Sequence, residues 1–215
     1  MLEKLKEEVC EMNLELSRNR LVTMFSGNVS GRDLETNYVV IKPSGMSYRN
    51  MNPEDMVIVD MEGNVIEGNH KPSVDTYTHL YIYKYRADVM GITHTHSNYA
   101  TSFAALGQSI PVYLTAMADD FGGPVPCTEY APVGSEAIGK EIFRVIGDSP
   151  AVLVKNHGVF TIGKSPSEAL KIAVMIEDIA KTIHLALIKG KPQEVPPEEV
   201  KRAYEWHQKY YGQKK

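Results

Sequence analysis

Two histidines stand one residue apart in Thr93-His94-Thr95-His96-Ser97, at the end of an apolar run, and a third follows another apolar run in Asn156-His157-Gly158. On an extended chain, residues i and i+2 point to the same side, so His94 and His96 can offer two imidazoles to one point. Histidines at the ends of buried strands are well placed to converge, and His157 is a candidate third donor. Neutral imidazoles suit a divalent first-row cation, zinc above all where catalysis is at issue. Such a cation polarises a carbonyl or activates a water. The His-Glu-x-x-His helix of zinc proteases is absent.

Small residues that can present backbone N–H groups and hydroxyls cluster at Gly27-Asn28, Ser44-Gly45 and Ser73-Val74. Together with a helix start after Ser73 they could cradle a phosphate monoester. None has the glycine spacing of a nucleotide-binding loop. Asp75 falls in the first turn of that helix, where an acid complements the helix dipole.

The elements that must hold these groups follow from pattern. An amphipathic helix is expected over 2–17, a loop around 26–30, and strands over 38–41 and 56–60, with a hairpin turn at Glu62-Gly63-Asn64 that makes neighbouring strands antiparallel. A helix follows over 74–85 with Ser73 as its cap, then a strand over 89–93, a short helix over 101–106 and a strand over 110–114. Three prolines and paired Gly and Asp residues mark 118–132 as an ordered loop with one extended piece. A helix over 135–146 and a strand over 151–155 come next. Ser165-Pro166-Ser167-Glu168 opens a long helix with a stripe from Ala169 to Ile183, and a last helix spans about 198–210.

The 215 residues are 43% apolar and 23% charged with net charge −4, which fits a single α/β domain over 1–215 and argues against a nucleic-acid surface. Cys10 and Cys127 show no disulfide or cysteine-zinc spacing, and no apolar run is long enough to cross a bilayer. A cytoplasmic, membrane-free protein is the expectation.

Taken in order, Gly27-Asn28-Val29-Ser30, Ile41-Lys42-Pro43-Ser44-Gly45, Lys71-Pro72-Ser73-Val74-Asp75-Thr76, His94-Thr95-His96-Ser97, Gly107-Gln108-Ser109-Ile110-Pro111, Val125-Pro126-Cys127-Thr128, Asn156-His157-Gly158 and the ending Tyr210-Tyr211-Gly212-Gln213 resemble the class II aldolase and adducin family over nearly the whole chain. The resemblance implies a three-layer αβα fold with a central, largely antiparallel sheet, and a homotetramer with active sites at subunit interfaces. It implies one divalent metal per subunit, usually Zn2+ with Mn2+ or Co2+ as alternatives, at His94, His96, His157 and Asp75, which overrides the helix-dipole reading of Asp75. Gly27, Asn28, Ser44, Gly45, Ser73 and Val74 would hold a sugar phosphate, although Val74 replaces a frequent Ser and keeps only its N–H. Asp119 and Tyr211 would move protons, with Asp120 a neighbour of the same type. The implied reaction is retro-aldol cleavage of a ketose phosphate, either released as aldolase products or re-closed on the other aldehyde face to invert C4. A non-catalytic adducin-like module is a further option. A histidine found in the last helix of some relatives has no counterpart, because Val200 stands there. His70, His79, His184 and His207 read as packing, surface or interface residues.

Overall fold

The computed structural model describes residues 2–213. Seven strands form one sheet: β1 (Asn28–Arg32), β2 (Val39–Ile41), β3 (Val57–Val59), β4 (Val65–Glu67), β5 (Gly91–Thr95), β6 (Ala151–Val154) and β7 (Gly158–Gly163). Their order is β4-β3-β2-β1-β5-β7-β6, and every strand pairing is antiparallel. Helices α1 (Glu3–Arg18), α2 (Thr76–Tyr85), α3 (Asn98–Leu106), α4 (Thr115–Phe121), α5 (Ala137–Ile146), α6 (Pro166–Lys189) and α7 (Pro197–Tyr210) cover both faces. This is the expected three-layer arrangement.

One face of the sheet packs Val39, Val57, Val59, Ile92, Val152, Phe160 and Ile162 against Leu80, Ile82 and Tyr83 of α2 and Ile138, Ile142 and Ile146 of α5. The other face carries α1, α3 and α6, the last burying Ile172, Ile176, Ile179 and Ile183. The α6 start is as its sequence requires, with the Ser165 hydroxyl accepting the Glu168 N–H at 3.1 Å. Helices α4 and α7 pack on each other and extend that layer.

Four expectations fail for identifiable reasons. The segment 26–30 is not all loop, because β1 begins at Asn28; its polar Asn28 and Ser30 are buried at 2% and 0% exposure, so no apolar alternation announces it. Residues 110–114 form only an isolated bridge, Ile110 to Val125. Residues 118–121, expected to open a loop, are instead the second half of a helix over 115–121, since Met117, Ala118 and Phe121 supply a buried face. Ser73 does not cap α2; its hydroxyl takes the Asp75 N–H at 3.3 Å and the helix begins after Asp75.

Registers explain why space opens beside β5. β1 pairs with β2 only from Ser30 onward, because the chain beyond Ile41 turns away at Lys42-Pro43. Asn13 of α1 replaces the missing strand: its amide nitrogen donates to the Val29 carbonyl at 3.1 Å and its oxygen accepts the Val29 N–H at 2.8 Å. Backbone groups that would be orphaned are thereby satisfied.

Candidate metal and substrate site

β5 and β7 are antiparallel neighbours, so the end of β5 lies beside the start of β7, with Thr95 opposite Val159. His94 and His96 leave β5 where His157 enters β7. Their donor nitrogens all lie within 4.8 Å of one another, and the Nε2 atoms of His94 and His96 are 3.0 Å apart. A carbonyl can only accept, so the 2.9 Å contact from His94 Nδ1 to the Val159 oxygen makes Nδ1 the protonated nitrogen and leaves Nε2 as a free lone pair. The Phe160 ring stacks on His94 at 4.2 Å and fixes its plane.

Asp75, the residue just before α2, lies beside the group. Its Oδ2 stands 4.0 Å from His94 Nε2 and accepts the Asn28 amide at 2.8 Å; Asn28 also donates to the Ser73 hydroxyl at 3.0 Å. The carboxylate makes no helix-capping bond. Burial opposes its ionisation, but His94, His79, the Asn28 amide and His157 together hold it below the usual carboxylate range. Burial pushes His94 down to about 3, and lowers His96 and His157 as well, so all three imidazoles are neutral donors at neutral pH.

This donor set fits a divalent cation. Zinc–nitrogen bonds near 2.05 Å in a tetrahedron place ligand nitrogens about 3.3 Å apart, close to the His94–His96 separation. His94 Nε2 and His96 Nε2 are close enough to share a proton when no cation is bound, and a cation between them would take both lone pairs instead.

The three small-residue loops meet here. Gly27, Asn28, Ser44, Gly45, Ser73 and Val74 line one cavity of about 180 Å3 together with the histidines. Gly27 has φ 75°, and a Cβ there would lie 2.8 Å from the His94 carbonyl oxygen, so only glycine lets this loop close over β5. The N–H groups of Ser44 and Ser73 are already committed to Lys71 and Lys42 carbonyls. Those of Gly27, Gly45 and Val74 have no partner among the described residues, leaving three free donors beside two hydroxyls. Sequence reasoning missed Lys42, although it stands within Ile41-Lys42-Pro43-Ser44-Gly45. It lines the same cavity, donates to the Phe25 carbonyl at 3.1 Å and lies over the Tyr48 ring, and burial lowers it to about 8.

Residues 7–184 match the sequence profile of the Class II Aldolase and Adducin N-terminal domain. The chain belongs to the class II aldolase and adducin family. A solved L-fuculose 1-phosphate aldolase is 31% identical, with 95% of this chain and 96% of that one covered and a TM-score of 0.91. YgbL from Klebsiella pneumoniae, described within an aldolase/epimerase/decarboxylase group, is 25% identical over 94% and 99% of the two chains, with a TM-score of 0.83. The l-fuculose-1-phosphate aldolase of Thermus thermophilus, at 21% identity and TM-score 0.74 over 88% and 98%, shares the fold.

Within one copy of the chain, Asp119 and Tyr211 do not line the histidine cavity. Asp119 is half-buried on α4. Tyr211 is exposed after α7 and lines a second cavity with Ile162 and Lys164, at the opposite end of β7 from His157, roughly 16 Å away along the strand. Two residues outside the expected set join Tyr211 there. His207 stacks on its ring at 4.1 Å, and Asp120 lies 3.9 Å from His207 Nε2 while pairing with Lys171 at 2.7 Å. One helical turn between His207 and Tyr211 was the available signal. Cys10 and Cys127 are free thiols, and no described helix is long and apolar enough to cross a membrane.

Proposed function

We propose that the chain is an L-ribulose-5-phosphate 4-epimerase, interconverting L-ribulose 5-phosphate and D-xylulose 5-phosphate by retro-aldol and aldol steps, as in L-arabinose catabolism. One observation carries the reading: the three-histidine cluster with Asp75 and the donor-rich loops open into the same cavity. A divalent cation held by His94, His96 and His157, with Asp75 at its edge, supplies Lewis acidity toward a ketose carbonyl. Lys42, the free N–H groups of Gly27, Gly45 and Val74, and the Ser44 and Ser73 hydroxyls hold the phosphate. That anchor keeps the aldehyde fragment in place while the C3–C4 bond is open. The proton of the C4 hydroxyl leaves to a base as that bond breaks, with its electrons passing toward the C2 oxygen. A proton returns to the C4 oxygen when the bond re-forms on the other aldehyde face. Asp119 and Tyr211 are the groups for these two transfers, brought from a neighbouring copy in a homotetramer whose sites lie between subunits.

Asp75 in place of Glu, and the Tyr210-Tyr211-Gly212-Gln213 ending, favour epimerisation. Full-length likeness to an L-fuculose 1-phosphate aldolase favours a second reading, cleavage with release of the aldehyde. A coupled assay with L-ribulose 5-phosphate decides between them. Chelator-sensitive appearance of D-xylulose 5-phosphate is expected. Dihydroxyacetone phosphate and lactaldehyde from L-fuculose 1-phosphate, with no epimer, would replace this reading by the aldolase. A purified protein without divalent metal, unresponsive to zinc, manganese or cobalt, would indicate a non-catalytic module.

A further inference from the structure

Behind the cavity, β1 and α2 meet through two polar rungs. Asn28 and Ser30, two apart on a strand, face Asp75, at the start of α2, and His79, four residues further on in its first turns. The first rung is the 2.8 Å bond from Asn28 to Asp75. The second joins Ser30 Oγ to His79 Nδ1 at 2.7 Å, and the same hydroxyl lies 2.8 Å from the Tyr83 hydroxyl, one helical turn further on. All of Ser30, His79 and Tyr83 are fully buried.

In the arrangement that gives both hydroxyl protons an acceptor, Tyr83 donates to Ser30, Ser30 donates to His79 Nδ1, and the imidazole proton resides on Nε2. Nε2 of His79 and Oδ1 of Asn28 are both buried without a hydrogen-bond partner. With the proton on Nε2 one of these orphans is a donor and the other an acceptor, whereas the opposite tautomer leaves two acceptors. His79 reaches both halves of the cluster. Its backbone N–H donates to the Asp75 carbonyl at 3.1 Å, and its ring meets the edge of Phe160, whose face lies on His94.

We propose that His79 is a positioning residue for the metal site: locked by Ser30 and Tyr83, it fixes Asp75 through the first turn of α2 and His94 through Phe160, and is not itself a ligand. The inference rests on reading the three histidines as a metal site. Residues behind a metal's ligands typically contribute 10–100-fold in affinity. Zinc affinity of the metal-free full chain, measured by chelator competition, and its melting temperature without metal test the proposal in His79→Leu, Ser30→Ala and the double variant. His79→Leu should weaken zinc about 10–100-fold, Ser30→Ala several-fold in the same direction, and the double variant no more than His79→Leu, because the two act as one unit. Zinc affinity within about twofold of the parent in the single variants, with only the melting temperature lowered, overturns it by leaving a packing role alone. Ser30→Ala removes one hydroxyl and decides the question should His79→Leu not fold. A parent that binds no zinc overturns the metal-site reading and this inference together; a zinc-binding parent with unaffected variants overturns the inference alone.

Discussion

Gly158 is the residue on which the convergence of strands and ligands depends most directly, and Gly158→Ala tests it. A Cβ at this position would lie 2.4 Å from the Thr95 carbonyl oxygen, 2.8 Å from His96 Cδ2 and 3.2 Å from His94 Cε1. Ordinary contact begins about 1 Å beyond the first of these distances. The Thr95 oxygen belongs to β5 at its pairing with β7, so it cannot swing aside as a side-chain tip would. Relief requires the strands to part or the two imidazoles to tilt. Overpacking of this kind costs about 1–3 kcal/mol, or roughly 2–12 °C in melting temperature for a chain of this size. Tilting two ligands should weaken zinc by about 10–100-fold. Gly123→Ala serves as the control, since a Cβ there meets nothing within 4 Å and its φ is not in the left-handed region. Calorimetry of the metal-free chain and chelator competition give both readouts. A Gly158→Ala protein that melts and binds zinc like the parent would refute the argument that β7 must approach β5 closely to form the site.

Burial holds His79 near 4 and His94 near 3, against about 6.5 in the unfolded chain. Both therefore bind protons more readily when unfolded, so the metal-free protein should be fully stabilised above about pH 6.5 and lose stability as pH falls toward about 4, with His79 alone contributing about 3 kcal/mol. A melting temperature that is flat from about pH 7 to about pH 5 would contradict that burial. Tyr211→Phe should lower turnover on L-ribulose 5-phosphate sharply while metal content stays at the parental level; unchanged turnover would remove Tyr211 from the chemistry.

Much of the scaffold is written locally. α1, α6 and α7 follow from stripes of Val9 and Leu16, of Ile172 to Ile183, and from Pro197, while Glu62-Gly63-Asn64 gives the β3–β4 hairpin. β1 escapes that logic because Asn28 and Ser30 are buried to serve Asp75 and His79, and a polar interior looks like a loop in sequence. β7 escapes because its run opens and closes on glycine. The histidine pair announced itself through strand periodicity and His157 through the end of its own apolar run, and the structure brings the three donors within 4.8 Å of one another. Lys42 was hidden because a lysine is ordinarily exposed, whereas here it is 2% exposed. Tyr211 and Asp119 cannot be tied to the histidines by periodicity, since no local repeat connects α4 or the chain after α7 to the ends of β5 and β7.

The strand order also has a consequence for how the molecule assembles. β1 to β4 are sequence neighbours, as are β6 and β7, and β1 against β5 is the one seam joining the first four strands to the last three. Asn28 sits opposite His94 across that seam. His94, His96 and His157 all lie on the β5–β7 side of that seam, so a partly folded form holding only that half already carries the three imidazoles, whereas the Asn28 bond that orients Asp75 forms only once β1 has docked. A bound cation would in turn clasp β5 to β7 at one end, suppressing the opening motions that expose β5 and β7 amides while leaving the distant β3–β4 edge free to exchange.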